Sequence, residues 1–174
     1  MEPDVKIQFF TATILEWKHL LKPDKYKDII IESMRFLTDA QRVQVLGFTI
    51  MPNHIHLLWK IMPPHKRANV QRDFLKFTAH QIIKDLENHH PQVLARFKVD
   101  AADRKYQVWE RNPLSVDMLS KQMLEQKLDY LHHNPVQERW KLTDEAVNYK
   151  YSSMSFYEQA DLRYGFIKHY AEHV

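Results

Sequence analysis

RVQVLGFTIMPNHIHLLWKIM, residues 42–62, decides the fold, because it reads as two strands joined by a short break. Residues 42–50 and 54–62 are rich in β-branched, aromatic and aliphatic side chains, which is typical of strands. The Met-Pro-Asn segment between them interrupts the apolar run, and such a short connection favours a β-hairpin. Because side chains alternate between the two faces of a strand, His54 and His56 point to the same side of the predicted sheet.

The segments on either side of this hairpin complete a recognisable order of elements. Apolar residues recur at helical spacing in residues 25–41 and 68–90, which predicts two amphipathic helices. Strand, helix, strand, strand, helix, strand is the split β-α-β order of ferredoxin-like folds. The sequence therefore predicts an α+β protein with a ferredoxin-like core, in which helices flank an antiparallel β-sheet. The other predicted elements are strands over residues 6–17 and 106–116 and a helix over residues 117–133, capped by Asp117 or Ser115.

Length and composition favour one folded domain. The chain has 174 residues, of which 44% are hydrophobic, and this is enough to bury a core. We expect a single domain over residues 1–174, with a core over about 6–136 and a C-terminal extension over 137–174. No apolar run approaches the roughly 18 residues of a membrane span, and the N-terminus lacks a signal-peptide pattern. These features predict a cytoplasmic protein.

The residue counts exclude several classes of site. The chain has no cysteine, which rules out disulfides, zinc sites built on thiolates and cysteine nucleophiles. Gly47 and Gly165 are the only glycines, and neither belongs to a glycine-rich loop that could cradle phosphates. The net charge of +3 gives weak support for a nucleic-acid partner.

Two imidazoles side by side on a rigid strand can provide two ligands of a metal site. A third protein ligand would have to come from elsewhere in the chain, leaving positions open for water or substrate. The alternative is that His54 and His56 are polar residues on a solvated face of the sheet. The spacing alone does not separate these two interpretations.

The residues around this pair carry a resemblance to a known family. MPNHIHLLW, residues 51–59, resembles the metal-binding signature of the REP-associated tyrosine transposases, an insertion-sequence family in the single-tyrosine branch of the HUH endonucleases. LDYLHHNPVQERW, residues 128–140, resembles the segment that carries the family's tyrosine and a nearby amide. VWERNPLSV, residues 108–116, and YKYSSMSFY, residues 149–157, are similar to two further segments of the family. The resemblance spans about residues 6–157.

The resemblance implies a role for each matching residue. Tyr130 stands at the position of the nucleophile, and His54, His56 and Asn134 stand at those of the metal ligands, with Mg²⁺ or Mn²⁺ as the expected ion. The implied reaction is cleavage and rejoining of single-stranded DNA at hairpin-forming or palindromic repeats, through a 5′-phosphotyrosine intermediate. The implied partner is hairpin-forming single-stranded DNA in the prokaryotic nucleoid, bound by a monomer or a homodimer. His133 departs from the family pattern, which has an aliphatic residue there.

Helical spacing supports this arrangement independently of the resemblance. Residues four apart share one face of a helix, so Tyr130 and Asn134 can both face the histidine pair if the helix persists to Asn134 despite Pro135. A lone tyrosine on a helix is otherwise most often a half-buried packing residue. His133 and Glu110 are candidate accessory residues. The candidate DNA-binding residues are Lys66, Arg67, Arg72, Lys76 and Arg139.

Two other functions remain open from the sequence. The first is a non-cleaving protein that binds DNA hairpins on the same fold. The second is a metal-dependent hydrolase of small molecules that uses the same histidines, without a role for Tyr130.

Overall fold

The computed structural model describes residues 6–174. Residues 1–5 lie outside the described residues, and part of the segment on which the signal-peptide prediction rests falls there. Among residues 6–174, no helix combines the length and the apolar character needed to cross a membrane. The strands are β1 (Ile7–Thr13), β2 (Val43–Ile50), β3 (His54–Ile61) and β4 (Leu114–Asp117). The helices are α1 (Asp24–Asp39), α2 (Arg67–His89), α3 (Pro91–Leu94), α4 (Lys121–His133) and α5 (Met154–Gln159).

The four strands form one antiparallel sheet in the order β2-β3-β1-β4. The hairpin predicted from residues 42–62 pairs β2 with β3, and β1 inserts between β3 and β4. This order and the helices between the strands confirm the predicted α+β, ferredoxin-like core. Strand β3 is an inner strand, and its register places Thr11 opposite His56 and Thr13 opposite His54.

Each face of the sheet packs against different helices. The larger core lies under α1 and α2 and includes Phe10, Trp59 and Phe74. The smaller core lies under α4, where Leu58 of β3 meets apolar residues of that helix. Because alternate residues of β3 share a face, His54 and His56 lie on the α4 side with Leu58. The remaining residues of the smaller core are Ile7, Phe9, Leu46, Leu124, Leu128 and Leu131.

A glycine in β2 lets α4 approach the sheet closely. The pairing of β2 with β3 shifts register between Val45 and Gly47, so that Leu46 forms a β-bulge. A Cβ atom at Gly47 would lie 2.6 Å from Cδ1 of Leu128 on α4. The absence of a side chain at Gly47 therefore sets how near the helix can come, and with it the position of every residue that α4 carries.

The C-terminal segment, residues 137–174, holds α4 from outside. Ser153 is fully buried, and its hydroxyl lies 2.7 Å from Nε2 of His132 on α4. The same hydroxyl accepts a hydrogen bond from the Phe48 amide of β2. Farther along, the Tyr170 hydroxyl donates to Glu125 on α4, at 2.7 Å. This segment therefore joins α4 to the edge of the sheet at β2.

Three predictions about element boundaries are wrong, and two of them concern β4 and the start of α4. The strand predicted over residues 106–116 forms a continuous ladder with β1 only from Leu114 onward, because Pro113 lacks an amide donor and Asn112 has a left-handed φ of 58°. Before this break, the contact is limited to a bridge between Trp109 and Ile14 and a hydrogen bond from the Glu110 amide to the Thr13 carbonyl. The helix predicted from residue 117 begins at Lys121, and its cap is Ser120, which accepts from the Met123 amide. Neither Asp117 nor Ser115 caps it, because both belong to β4.

The strand predicted over residues 6–17 ends earlier than expected. Pairing along β1 stops at Thr13, and Leu15–Trp17 forms a short 3-10 turn. Glu16 and Trp17 adopt left-handed φ angles of 54° and 58°, which continue neither a strand nor a right-handed helix.

Candidate active site

The two histidines of β3 meet an amide from the end of α4. The rings of His54 and His56 have centroids 4.7 Å apart, and each residue is about 5% exposed. Oδ1 of Asn134, which is 1% exposed, lies 2.9 Å from Nε2 of His54. Asn134 keeps helical angles, with φ −53° and ψ −45°, so the face of α4 extends to this residue before Pro135. The structure thus brings together three side chains from two distant parts of the chain.

Neighbouring polar groups orient both imidazoles. Nδ1 of His54 lies 2.7 Å from Oδ1 of Asn53, an oxygen that can only accept, so this nitrogen carries the proton. Nδ1 of His56 lies 2.8 Å from the hydroxyl of Thr11 on β1. Nε2 of His56 is buried and has no hydrogen-bond partner within residues 6–174. Contacts that occupy Nδ1 and leave Nε2 available are the usual support of metal-ligating histidines.

Burial keeps both imidazoles neutral near neutral pH. Desolvation lowers the pKa of His54 to about 4, and the Arg139 charge acts in the same direction while the Asn134 oxygen opposes it. Desolvation also lowers the pKa of His56 to about 3, aided by His54 and by the charge of Lys127. A neutral imidazole offers the lone pair that a metal ion requires.

The chemistry of these donors fits a divalent cation. With its proton on Nδ1, His54 directs the lone pair of Nε2 at another acceptor, Oδ1 of Asn134, 2.9 Å away. A cation between Nε2 and this oxygen would be bound by both lone pairs, and the lowered pKa of His54 disfavours a proton in the same place. No cluster of three or more His, Cys, Asp or Glu side chains suitable for a metal occurs within residues 6–174. A metal here would therefore take the Asn134 amide as its third protein ligand, and water or substrate for the rest.

Tyr130 lies beside this group of side chains with its phenol open to solvent. Its ring centroid is 5.4 Å from that of His56 and 6.2 Å from that of Phe9. The residue is 46% exposed, whereas the three candidate ligands are buried. A phenol placed in this way can reach a group that approaches from solvent and touches the histidines at the same time.

A lysine at the same place was not among the candidates from the sequence. Nζ of Lys127 lies 5.5 Å from the centroid of the Tyr130 ring and 5.0 Å from that of Phe9. Lys127 precedes Tyr130 by three residues on α4, and residues at this spacing are neighbours on a helix surface. That spacing was the signal in the sequence that could have identified it. Its charge lies where an anionic substrate would meet the phenol.

Arg139 and Trp140 border the site on the side of His54. The Trp140 ring centroid is 6.0 Å from that of His54 and 5.6 Å from that of His19. The Arg139 guanidinium lies 5.5 Å from the centre of the Trp140 ring. Of the candidate DNA-binding residues, Arg139 is the one that the structure places next to the histidines.

The other candidate residues do not join the histidine pair. The Glu110 carboxylate accepts from the amide of Glu16, at 2.6 Å, and so supports the turn after β1. His133 is exposed, and its Nδ1 lies 2.9 Å from the Asp129 carbonyl of its own helix. The four remaining candidates lie at the start of α2 or along it, and α2 covers the face of the sheet opposite the histidines. They are Lys66, Arg67, Arg72 and Lys76, all exposed.

Two solved structures are similar to this chain in fold. A REP-associated tyrosine transposase bound to a REP hairpin superposes with a TM-score of 0.64 at 15% sequence identity, over 94% of this chain and 82% of that one. A candidate transposase from Deinococcus radiodurans has a TM-score of 0.49 at 13% identity, over 76% of this chain and 94% of that one. No protein-family model matches the sequence, and no curated protein matches it. The chain therefore has the fold that the resemblance of its motifs to the REP-associated tyrosine transposases predicts.

Proposed function

We propose that this chain is a REP-associated tyrosine transposase, an endonuclease that cleaves and rejoins single-stranded DNA at hairpin-forming or palindromic repeats. The observation that carries the proposal is the exposed phenol of Tyr130 beside the buried set of His54, His56 and Asn134. The similar fold of a transposase bound to a REP hairpin supports the choice of substrate.

The reaction begins with the phenol. The Tyr130 oxygen attacks the scissile phosphorus, a P–O bond to tyrosine forms, and the bond to the 3′ oxygen of the preceding nucleotide breaks. The phenol loses its proton, and the departing 3′ oxygen gains one. The products are a 5′-phosphotyrosine and a free 3′-hydroxyl. Because the covalent link keeps the energy of the phosphodiester, a second 3′-hydroxyl can reverse the step and rejoin a strand without a nucleotide cofactor.

The surrounding residues bind and orient the phosphate. His54, His56 and Asn134 would hold Mg²⁺ or Mn²⁺, which would polarise the phosphate as a Lewis acid when bound. Lys127 contributes a positive charge on the tyrosine side of the site. A phosphate held between these groups would face the phenol for in-line attack, and proximity of this kind accounts for much of the rate in phosphoryl transfer.

The test is formation of a covalent adduct. Incubation with a labelled single-stranded DNA hairpin and Mn²⁺ is expected to give a protein–DNA adduct that survives denaturing electrophoresis. Tyr130→Phe should abolish the adduct, and Tyr106→Phe, which changes a tyrosine packed against the larger core on the opposite face of the sheet, should retain it. Binding of the hairpin without an adduct would favour the non-cleaving alternative. An activity on small molecules that survives Tyr130→Phe would favour the hydrolase.

A further inference from the structure

A cavity of about 560 Å³ lies outside the histidine site, between the turn after β1, the start of α1, the end of α2 and α3. Its wall is largely apolar and carries three aromatic rings, those of Trp17, Tyr26 and Phe97. Its charged lining residues are basic, and no acidic residue lines it within the described part of the chain. These basic residues are Lys18, Lys22 and Arg96, accompanied by His19 and His90.

The tryptophan of this cavity is exposed on a strained turn. Trp17 is 62% exposed, although a large apolar ring normally gains from burial. Its backbone and that of Glu16 are left-handed, a conformation that costs about 1 to 2 kcal/mol per non-glycine residue. The Glu110 carboxylate fixes the turn by accepting from the Glu16 amide. Strain that is held in place by such contacts is found most often at ligand sites.

Two contacts connect this turn to the candidate active site. Asn53 donates from Nδ2 to the Trp17 carbonyl, at 3.3 Å, while its Oδ1 accepts from His54. The ring of His19, which lines the cavity, lies 5.6 Å from Trp140, and Trp140 in turn neighbours His54. A DNA strand bound at the histidines could therefore extend into the cavity without leaving the protein surface.

The charge around the cavity favours an anion. Two carboxylates next to lining residues are already paired, Glu16 with Lys18 and Asp85 with Lys25. Lys22 and Arg96 form no ion pair within residues 6–174, so both charges can contact a ligand. Aromatic rings for a planar group and cations for a phosphate are the two elements that bind unpaired nucleotides.

We propose that this cavity binds an unpaired nucleotide of the DNA substrate, with its base against Trp17 and a phosphate near Lys22 and Arg96. The inference rests on the proposed function, because it assumes that the ligand is single-stranded DNA adjoining the cleavage site. Trp17 would recognise the base by stacking, which tolerates different bases. The two cations would add salt-dependent affinity for the backbone.

The test compares three DNA hairpins in binding titrations without divalent metal. The first hairpin is blunt. The second carries short unpaired extensions at both its 5′ and its 3′ end, and the third carries the same extensions without bases. Trp17→Ala should weaken binding of the extended hairpin by about tenfold, since stacking on one base contributes about 1 to 3 kcal/mol. It should leave the blunt and the abasic hairpins unchanged. Arg96→Gln should weaken binding of both extended hairpins, because both keep their phosphates.

Matched variants separate this role from a general loss of structure. Trp17→Phe keeps a ring and should retain most of the affinity. Phe36→Ala is the matched control, because it removes an equally exposed ring from another part of the surface. Equal affinity of Trp17→Ala and the wild type for the extended hairpin would overturn the proposal. Equal weakening for all three hairpins would overturn it too.

The binding measurements are also independent of cleavage. Selective loss in Trp17→Ala without any covalent adduct in the wild type would uphold the nucleotide site and reject the proposed cleavage. An adduct that forms in the wild type, together with unchanged binding in Trp17→Ala, would do the reverse.

Discussion

Replacing Thr11 by valine removes one hydroxyl from the support of the candidate metal site and nearly preserves the volume of the side chain. Thr11 lies opposite His56 in the pairing of β1 with β3, and its hydroxyl is 2.8 Å from Nδ1 of that histidine. Valine is also a good strand residue. The substitution therefore changes the hydrogen bonding of His56 with little effect on the sheet.

The size of the effect follows from the burial of His56. This residue is about 5% exposed, so its Nδ1 would find neither a protein partner nor bulk water. Leaving a buried polar group without a partner costs about 1 to 3 kcal/mol. Loss of a supporting contact of this kind lowers metal affinity by about 10- to 100-fold. The second range corresponds to about 1.4 to 2.8 kcal/mol of metal-binding free energy, whereas the first is a cost to the free energy of unfolding.

Calorimetric titration with Mn²⁺ measures the change in affinity, and urea unfolding without metal measures the change in stability. Thr13→Val is the matched control, because Thr13 lies on the same face of β1, opposite His54. The side chain of Thr13 makes no hydrogen bond in the described part of the chain. We expect Thr13→Val to bind Mn²⁺ as the wild type does, and Thr11→Val to bind it at least about tenfold more weakly.

Either of two results would refute this reasoning. Equal Mn²⁺ affinity in Thr11→Val and the wild type would show that the hydroxyl does not support the metal ligand. A wild-type protein that takes up no Mn²⁺ or Mg²⁺ would reject the metal site itself, whatever the variant does.

Three further predictions concern α4 and its surroundings. Gly47→Ala should lower the free energy of unfolding by about 1 to 3 kcal/mol in urea titrations, because its Cβ would press on Leu128, 2.6 Å away; wild-type stability would contradict the close approach. Lys127→Met should slow adduct formation, and Lys121→Met should not; equal rates would remove Lys127 from the site. Burial lowers the pKa of His132 to about 3, so the unfolded chain binds more protons below about pH 6.5 and stability falls as the pH is lowered towards 3. Replacing His132 by glutamine should flatten this decline by up to about 1.4 kcal/mol per pH unit, and an unchanged slope would contradict the buried, neutral ring.

The sheet and the helices on it were predictable because their signals are periodic. Alternation in β3 placed His54 and His56 on one face, and the apolar stripe of α2 predicted a helix that the structure confirms within one residue at each end. The boundary errors fall where a local geometry overrides composition. Residues 106–110 look like a strand, but they form only isolated bridges, Tyr106 with Lys98 and Trp109 with Ile14, and the left-handed Asn112 separates them from β4.

The candidate site was predictable in its residues and less so in its surroundings. The helix had to remain regular up to Asn134 for Tyr130 and the amide to share a face, and the proline that follows made this uncertain from the sequence. The oxygens of Thr11 and Asn53 were not foreseen, because a hydrogen bond between strands depends on register. The exposed position of Trp17 was not predicted either, because the residues around it give no signal of a left-handed turn.

The attachment of α4 has a consequence for how this protein can vary. The candidate metal ligands on β3 are fixed by the sheet, whereas the tyrosine is fixed by a helix that Ser153 and Tyr170 fasten from beyond it. The candidate site is thus divided into two halves with separate anchors, the histidine pair on the sheet and Tyr130 with Asn134 on α4. Substitutions in the last forty or so residues that shift α4 would therefore move Tyr130 and Asn134 together relative to His54 and His56.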